Sequence, residues 1–255
     1  MAGYIGRGVH GQTVEALGTR IVSGAIAEGE ILDVAALIAE LNVSQTPLRE
    51  ALKVLTAKGM VDARQKRGTF VRPRSGWNLL DSDVIRWQFA AGAGDRVLSD
   101  LAEVRDAVEP AAARLAAGRR TDADLEALDA ALAAMATAAD PADAAAADLA
   151  WHRALLAATH NELFQRMDIF IEPGLAERDR LVHAAHADDP VPSHQSVTDA
   201  VRDGDTARAE AAMRALLDLA EHDLAQVTHP APARDAAADD STRAPSAAEP
   251  AEEST

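Results

Sequence analysis

A chain of 255 residues, 48% hydrophobic but only 3% aromatic, can bury a core and must build it from Ala, Leu, Val and Ile. It has no Cys, which excludes disulfides and thiolate metal sites and leaves His and carboxylates to bind any metal. The net charge of −16 is unevenly spread: residues 1–75 carry 10 Lys and Arg against 7 Asp and Glu, and the remainder carries 15 against 34. Within 43–75 the count is 8 basic to 2 acidic, which predicts a basic contact surface on an acidic body. A charge run taken alone is more often a solvated face, so the elements around it must decide. Abundant Ala makes the expected class mainly α. No apolar run reaches the length of a membrane span and the N-terminus lacks a signal-peptide shape, so the expectation is a cytoplasmic protein with no membrane partner.

Residues 1–10 read as a flexible N-terminus. Val14, Leu17, Ile21 and Ala25 then recur at helical spacing from Thr13 to about Ile26, with Gly24 and Gly29 at the exit. A second helix follows Asp33 as N-cap, with Leu37, Ile38 and Leu41 apolar and Asn42 where a left-handed C-terminal residue is wanted. In the third helix Thr46 is the expected cap and Pro47 the first helical residue. Leu48, Leu52 and Leu55 form its buried stripe, Arg49 and Lys53 lie on another face, and Gly59 ends it. Strands near 60–63 and 69–72 flank Gln65-Lys66-Arg67-Gly68. Helix-turn-helix plus basic hairpin is a winged helix, expected over 11–74.

A winged helix implies double-stranded DNA as partner. The third helix enters the major groove by its N-terminal end, bringing Ser44, Gln45, Thr46 and Arg49 to phosphates or base edges, with Lys53 behind them. Lys66, Arg67 and Gly68 at the hairpin tip would meet backbone or minor groove. The plainer alternative is a helical hairpin that only packs.

The segment resembles the DNA-binding domain of the GntR family of bacterial regulators. The resemblance is carried by Leu41-Asn42-Val43-Ser44-Gln45-Thr46-Pro47-Leu48-Arg49-Glu50-Ala51-Leu52, by Gly59-Met60-Val61 and by Arg67-Gly68-Thr69-Phe70-Val71, and covers most of 12–73. The chain departs from the family at Gln45, often Arg in relatives, and at Ala35, often polar. Both positions commonly contact DNA in relatives, so the resemblance implies DNA binding without the family's usual operator.

Pro73-Arg74-Ser75-Gly76 reads as a hinge, opening a linker and connecting helix over 75–94 in which Trp77 and Trp87 pack between domains. Helices are then expected at 95–118, 121–138, 141–159, 161–185, 194–203 and 205–228, with a kink at Pro173-Gly174. The pattern is an antiparallel all-α bundle over 95–228. Residues 229–255 are rich in Pro, Ala, Asp and Glu without apolar periodicity, and read as a disordered acidic tail.

Asp148 and His152, four apart, share a helix face and make half of a metal site or an ordinary ion pair. Arg105 and Glu109 are a second such pair, and spacing alone places neither pair beside His194. His183 and His186, three apart near a loop, could line the same pocket but read as exposed, as do His160, His222 and His229. Leu101-Ala102-Glu103-Val104-Arg105-Asp106-Ala107-Val108-Glu109-Pro110, Asp148-Leu149-Ala150-Trp151-His152, Asn161, His194 and Gly204-Asp205 resemble the all-helical FCD effector domain of FadR-like members, in particular sugar-acid repressors of the galactonate type. The resemblance implies a divalent metal, Zn or similar, held by Asp148, His152 and His194, with Leu216 near the place of a fourth ligand. It also implies that Arg105 binds an acid effector with these three. A metal-free site in which the same groups hydrogen-bond the acid directly is the alternative.

Together these readings predict a homodimeric transcription regulator, a repressor that holds a pseudo-palindromic operator and releases it on binding a sugar acid or other small carboxylate. The alternatives are a metal-dependent enzyme acting on a small organic acid in the helical domain, and an architectural DNA-binding module with an empty bundle. The missing nucleophile motif and the attached winged helix weigh against the enzyme.

Overall fold

The computed structural model describes residues 8–169, 171–173 and 189–228. The expectations for His183, His186, His229, the Pro173-Gly174 kink and the acidic tail fall wholly or in part outside the described residues, as does most of the N-terminal segment. Among the described residues no helix is long and apolar enough to cross a membrane.

The N-terminal unit begins with α1 (Val9–Val22), which buries Val14, Leu17 and Ile21 at three- and four-residue spacing. Next comes α2 (Val34–Leu41). The Asp33 side chain accepts hydrogen bonds from the Ala35 and Ala36 amides, and Asn42 closes the helix in the left-handed region at φ 50°. In α3 (Gln45–Ala57) the cap position is Ser44, and its side chain makes no capping bond. The sequence reading places the start two residues too late: Thr46 is inside the helix and Pro47 is its third residue. Pro is tolerated there because the amides of the first turn have no helical acceptor. Leu48, Ala51 and Leu55 are buried, while Leu52 is only partly so.

Strands β1 (Val61–Arg64) and β2 (Gly68–Val71) pair antiparallel, with Val61 opposite Val71 and Arg64 opposite Gly68. The outer edge of β2 is covered: Leu32 donates to the Thr69 carbonyl at 2.8 Å, and Val71 donates to the Glu30 carbonyl at 3.0 Å. The wing is thereby tied to the α1–α2 connection, leaving only the tip to project.

Residues 73–76 are not a free hinge. Arg74–Gly76 is a single 3-10 turn, and the Trp77 indole donates to the Arg72 carbonyl at 2.9 Å. The Asn78 amide donates to the Lys58 carbonyl at 2.9 Å. Gly59, at φ 74°, abuts the Gly76 carbonyl so closely that a Cβ would collide with it. Trp77 and Trp87 also depart from expectation, since both join the core of the N-terminal unit with Val14, Leu17, Leu48 and Met60. Trp87 lies on α4 (Ser82–Ala90), whose Asp81 cap accepts from Asp83 and Val84. Its ring lies on Gly18 of α1, where an added Cβ would be 2.6 Å from it.

The opposite side of α4 faces the C-terminal helices. Ile85 is buried with Val97, Leu101, Ala112, Leu156 and Ile171. Helix α5 (Gly94–Arg119) carries Pro110 in its interior. Then come α6 (Asp122–Ala136), opened by a Thr121/Asp124 capping box, and α7 (Pro141–Ala158), capped by Asp140. The single helix expected over 161–185 is interrupted early: α8 (Glu162–Gln165) gives way to a turn at 166–167 before helical residues resume at 168. Helix α9 (Val191–Asp203) ends at left-handed Gly204, and α10 (Thr206–Thr228) follows. The short connection at 204–205 makes α9 and α10 neighbours, and α10 also packs along α5 while α6 packs along α7. The core is Ala- and Leu-rich, around fully buried Trp151.

Candidate functional site

Two places in the molecule can do chemistry with a partner. The first is the basic end of the N-terminal unit. Ser44, Gln45, Thr46, Arg49 and Lys53 on α3, and Lys66, Arg67 and Gly68 at the wing tip, are all exposed. Lys53 is paired with Glu50 at 2.7 Å, both side chains exposed to solvent, so the contact holds the lysine only weakly. The wing tip is shaped by backbone: Lys66 sits at φ 69° and Gly68 at φ 84°, and the Arg67 amide donates to the Arg64 carbonyl at 3.1 Å. The Arg67 guanidinium lies 3.8 Å above the Phe70 ring, which narrows its range of motion before any partner arrives. Ala35 and Gln45, the two departures from the family pattern, are exposed on the same helix-turn-helix.

The second place is buried in the bundle, where three helices contribute. Asp148 and His152 stand one turn apart on α7, His194 is in the first turn of α9, and Arg105 and Glu109 stand one turn apart on α5. All five are at most 7% exposed. One ligand atom from each of Asp148, His152 and His194 lies within 4.8 Å of the other two. His194 Nε2 is 2.8 Å from Asp148 Oδ1, and His152 Nε2 is 3.7 Å from it.

The neighbours set the ring tautomers. His194 Nδ1 is 2.8 Å from the Pro190 carbonyl, an acceptor, so Nδ1 carries the hydrogen. His152 Nδ1 is 2.9 Å from Glu109 Oε2, so it carries its hydrogen toward a carboxylate. Nε2 of His194 then faces Asp148, and Nε2 of His152 lies between Asp148 and Arg105 Nη2, 3.7 Å from the first and 3.4 Å from the second. A neutral His194 would place a lone pair against a carboxylate oxygen at 2.8 Å, an arrangement that calls for a proton or a cation between them. Two imidazoles and one carboxylate, each imidazole oriented through its second nitrogen, is a donor set suited to a divalent transition metal. Leu216, at the place of a possible fourth ligand, is buried in the aliphatic core and offers no donor.

Trp151 supports the two rings. It meets His194 edge-on with centroids 4.6 Å apart and His152 at 5.0 Å. Its indole donates to Thr198 Oγ1 at 3.0 Å, and that hydroxyl donates to the His194 carbonyl at 3.0 Å. On α5, Arg105 Nε donates to Glu109 Oε1 at 2.5 Å and Nη2 reaches Oε2 at 3.4 Å. Burial by itself raises the Glu109 pKa, but the Arg105 charge and the His152 contact outweigh it and hold the carboxyl at about 2. Burial likewise acts against the Arg105 charge, and Glu109 more than restores it.

Arg105, Asp148, His152 and His194, the residues expected to bind metal or effector, therefore fall within one cluster. Sequence reasoning underrated Glu109, which appeared only as the i+4 neighbour of Arg105. Its second contact, to His152, spans two helices and left no trace in spacing. The exposed reading of His160 needs one addition: its ring meets the Asp124 carboxylate of the α6 cap at 2.8 Å.

The chain is similar to known proteins over nearly its whole described length. Residues 10–71 match the model for bacterial regulatory proteins of the gntR family, and residues 100–219 match the FCD domain. The galactonate operon transcriptional repressor of Escherichia coli K12 is 34% identical over 217 residues, covering 83% of this chain and 95% of that protein. The HTH-type transcriptional regulator LutR of Bacillus subtilis is 32% identical over 219 residues, covering 79% and 94%. Among solved structures, that of Lar from Listeria monocytogenes superposes with a TM-score of 0.60 at 18% identity, covering 87% of this chain and 99% of that one. The last likeness concerns the fold alone.

Proposed function

The chain belongs to the GntR family of bacterial regulatory proteins, as a transcription regulator with an FCD domain, and from that premise we propose that it represses a sugar-acid catabolic operon. Its relatives are regulators and not enzymes, so the buried cluster is read as a sensor. The observation that carries the proposal is the convergence of Arg105, Asp148, His152 and His194 in the bundle of a chain 34% identical to a galactonate operon repressor.

Two copies would pair through the helical domain and set two winged helices on a pseudo-palindromic operator. Ser44, Gln45, Thr46, Arg49 and Lys53 face the major groove, and Lys66, Arg67 and Gly68 the flanking backbone. Asp148, His152 and His194 would hold a divalent metal, which when bound supplies a positive charge and open positions for carboxylate oxygens. Arg105 borders the acid from α5.

The route to the head is short. The same α5 that carries Arg105 also carries Val97, Leu101 and Ala112, the seat of Ile85 on α4. An acid that binds one placement of α5 better than another shifts the placement of α4, and operator affinity with it.

A thermal-shift screen of aldonic acids, with and without added Zn²⁺, tests the sensor. A hit that raises Tm should release the protein from DNA upstream of its own gene in a gel-shift assay. A hit that leaves the complex intact would overturn release as the mode of control. Replacing Arg49 with Ala should weaken operator binding, and affinity should fall steeply between low and moderate salt.

A further inference from the structure

The wing holds an aromatic ring that the core does not use. Side chains alternate along a strand, and Val71 joins the core of the N-terminal unit while its neighbour Phe70 does not. Phe70 is nevertheless only 4% exposed. Its cover comes from the wing. Asp62 stands opposite it on β1, and Ile31 pairs with it along the other edge of β2. Two guanidinium groups lie over the ring, that of Arg67 at 3.8 Å from its centroid and that of Arg64 at 5.5 Å.

The two arginines differ in what else they hold. Arg64 Nε is 3.3 Å from Asp62 Oδ2, so a carboxylate already shares that charge. The Arg67 side chain is exposed, and its one described contact is the ring. An arginine at a turn otherwise samples many rotamers, and a partner must freeze them on binding. A guanidinium laid flat on a ring has lost much of that freedom beforehand, and its N–H edge stays open to an acceptor. We propose that Phe70 is a positioning residue for DNA binding, a seat that holds Arg67 ready to meet a backbone phosphate. The proposal rests on the reading of the wing tip as a DNA contact. Phe70 touches no DNA in this arrangement and acts only through Arg67.

The test is fluorescence anisotropy of the full chain on one labelled duplex, enriched by the wild-type chain from a random-sequence pool and titrated across a KCl series. Arg67→Ala should weaken binding about tenfold and lower the salt slope by about one. Phe70→Leu, with circular dichroism as the check on folding, should weaken binding about threefold and leave the slope unchanged, because Arg67 still reaches its phosphate. Added to Arg67→Ala, Phe70→Leu should cost nothing further. A loss that persists in the Arg67→Ala background is general damage to the wing and overturns the positioning role. Phe70→Leu binding like wild type, beside a weakened Arg67→Ala, overturns it as well and leaves the wing contact standing. Wild-type affinity and slope in Arg67→Ala overturn the wing contact and the proposal together. Arg67→Lys decides the matter whether or not Phe70→Leu folds. It keeps the charge without the flat face, and should lose about threefold in affinity at an unchanged slope, whereas affinity equal to wild type overturns the seat.

Discussion

Two charge networks of nearly the same composition occupy the two halves of the molecule, and they are built to opposite ends. In the N-terminal half, Lys58 bonds Asp81 at 2.6 Å and Asp83 at 2.8 Å. Arg86 bonds Asp83 at 2.9 Å and grips Glu15 through both terminal nitrogens, and the Trp87 indole adds a donor to Glu15 at 2.8 Å. The contacts there run from donor to acceptor, and Arg86 reaches solvent. In the bundle, by contrast, two ring nitrogens converge on one carboxylate oxygen, His194 Nε2 at 2.8 Å and His152 Nε2 at 3.7 Å from Asp148 Oδ1. What separates them is burial: the first network opens to solvent at Arg86, while the second sets two imidazoles and a carboxylate against each other in the bundle core.

The contrast can be broken most forcefully at Lys58. Lys58→Met leaves Asp81 and Asp83 without their ammonium and should cost roughly 3 kcal/mol of unfolding free energy in urea titration. Zn²⁺ affinity should not move. Burial alone would lower the Lys58 pKa, but Asp81 and Asp83 raise it. A raised lysine stabilises the fold fully below about pH 10.4, and its contribution is lost as pH rises through the folded value. The variant's stability should accordingly fall less than that of wild type in strong alkali. If Lys58→Met weakens Zn²⁺ binding instead, the two networks are not separate.

His194→Ala is the reciprocal change. It removes one of three ligands and should weaken Zn²⁺ binding by about a hundredfold or more in calorimetry, with little loss of stability in the absence of metal. Gly18→Ala comes next, pressing a methyl into the Trp87 ring and overpacking the contact between α1 and α4, at about 2 kcal/mol in thermal unfolding. The smallest expected effect is that of Glu109→Gln on the metal: loss of the charge that orients His152 should weaken Zn²⁺ by about tenfold. A change as large as that of His194→Ala would make Glu109 a ligand.

Local signals wrote most of the fold plainly into the chain. Asp33, Asn42, Thr121, Asp140 and Gly204 mark helix ends with chemistry that acts within three or four residues, and the helices begin and stop beside them. At the start of α3 the reading slipped by two residues: Thr46 has the chemistry of a cap, but the helix begins after Ser44, whose side chain makes no capping bond. The hinge reading of 73–76 failed for a longer-range reason. Pro and Gly in series signal a bend, but the bend is clamped by Gly59 and Lys58, residues that no local pattern connects to it. The buried cluster was half legible. Helical spacing pairs Arg105 with Glu109 and Asp148 with His152, while the meeting of α5, α7 and α9 is a matter of bundle packing, and only resemblance to a family brought His194 to the others.

Helix α4 sets where this protein can be cut. Its Trp87 fills the space over Gly18, and Lys58 and Glu15 are satisfied by its Asp83 and Arg86. A fragment ending at residue 74 would expose that seat and leave two charges of the winged helix without their counterions. The shortest fragment that keeps the DNA-reading unit whole runs through Ala90, and it carries Ile85 and Phe89 outward as an uncovered apolar edge. A head expressed alone to that point should therefore fold and be sticky, and one or two polar substitutions at Ile85 and Phe89 should make it a soluble monomer.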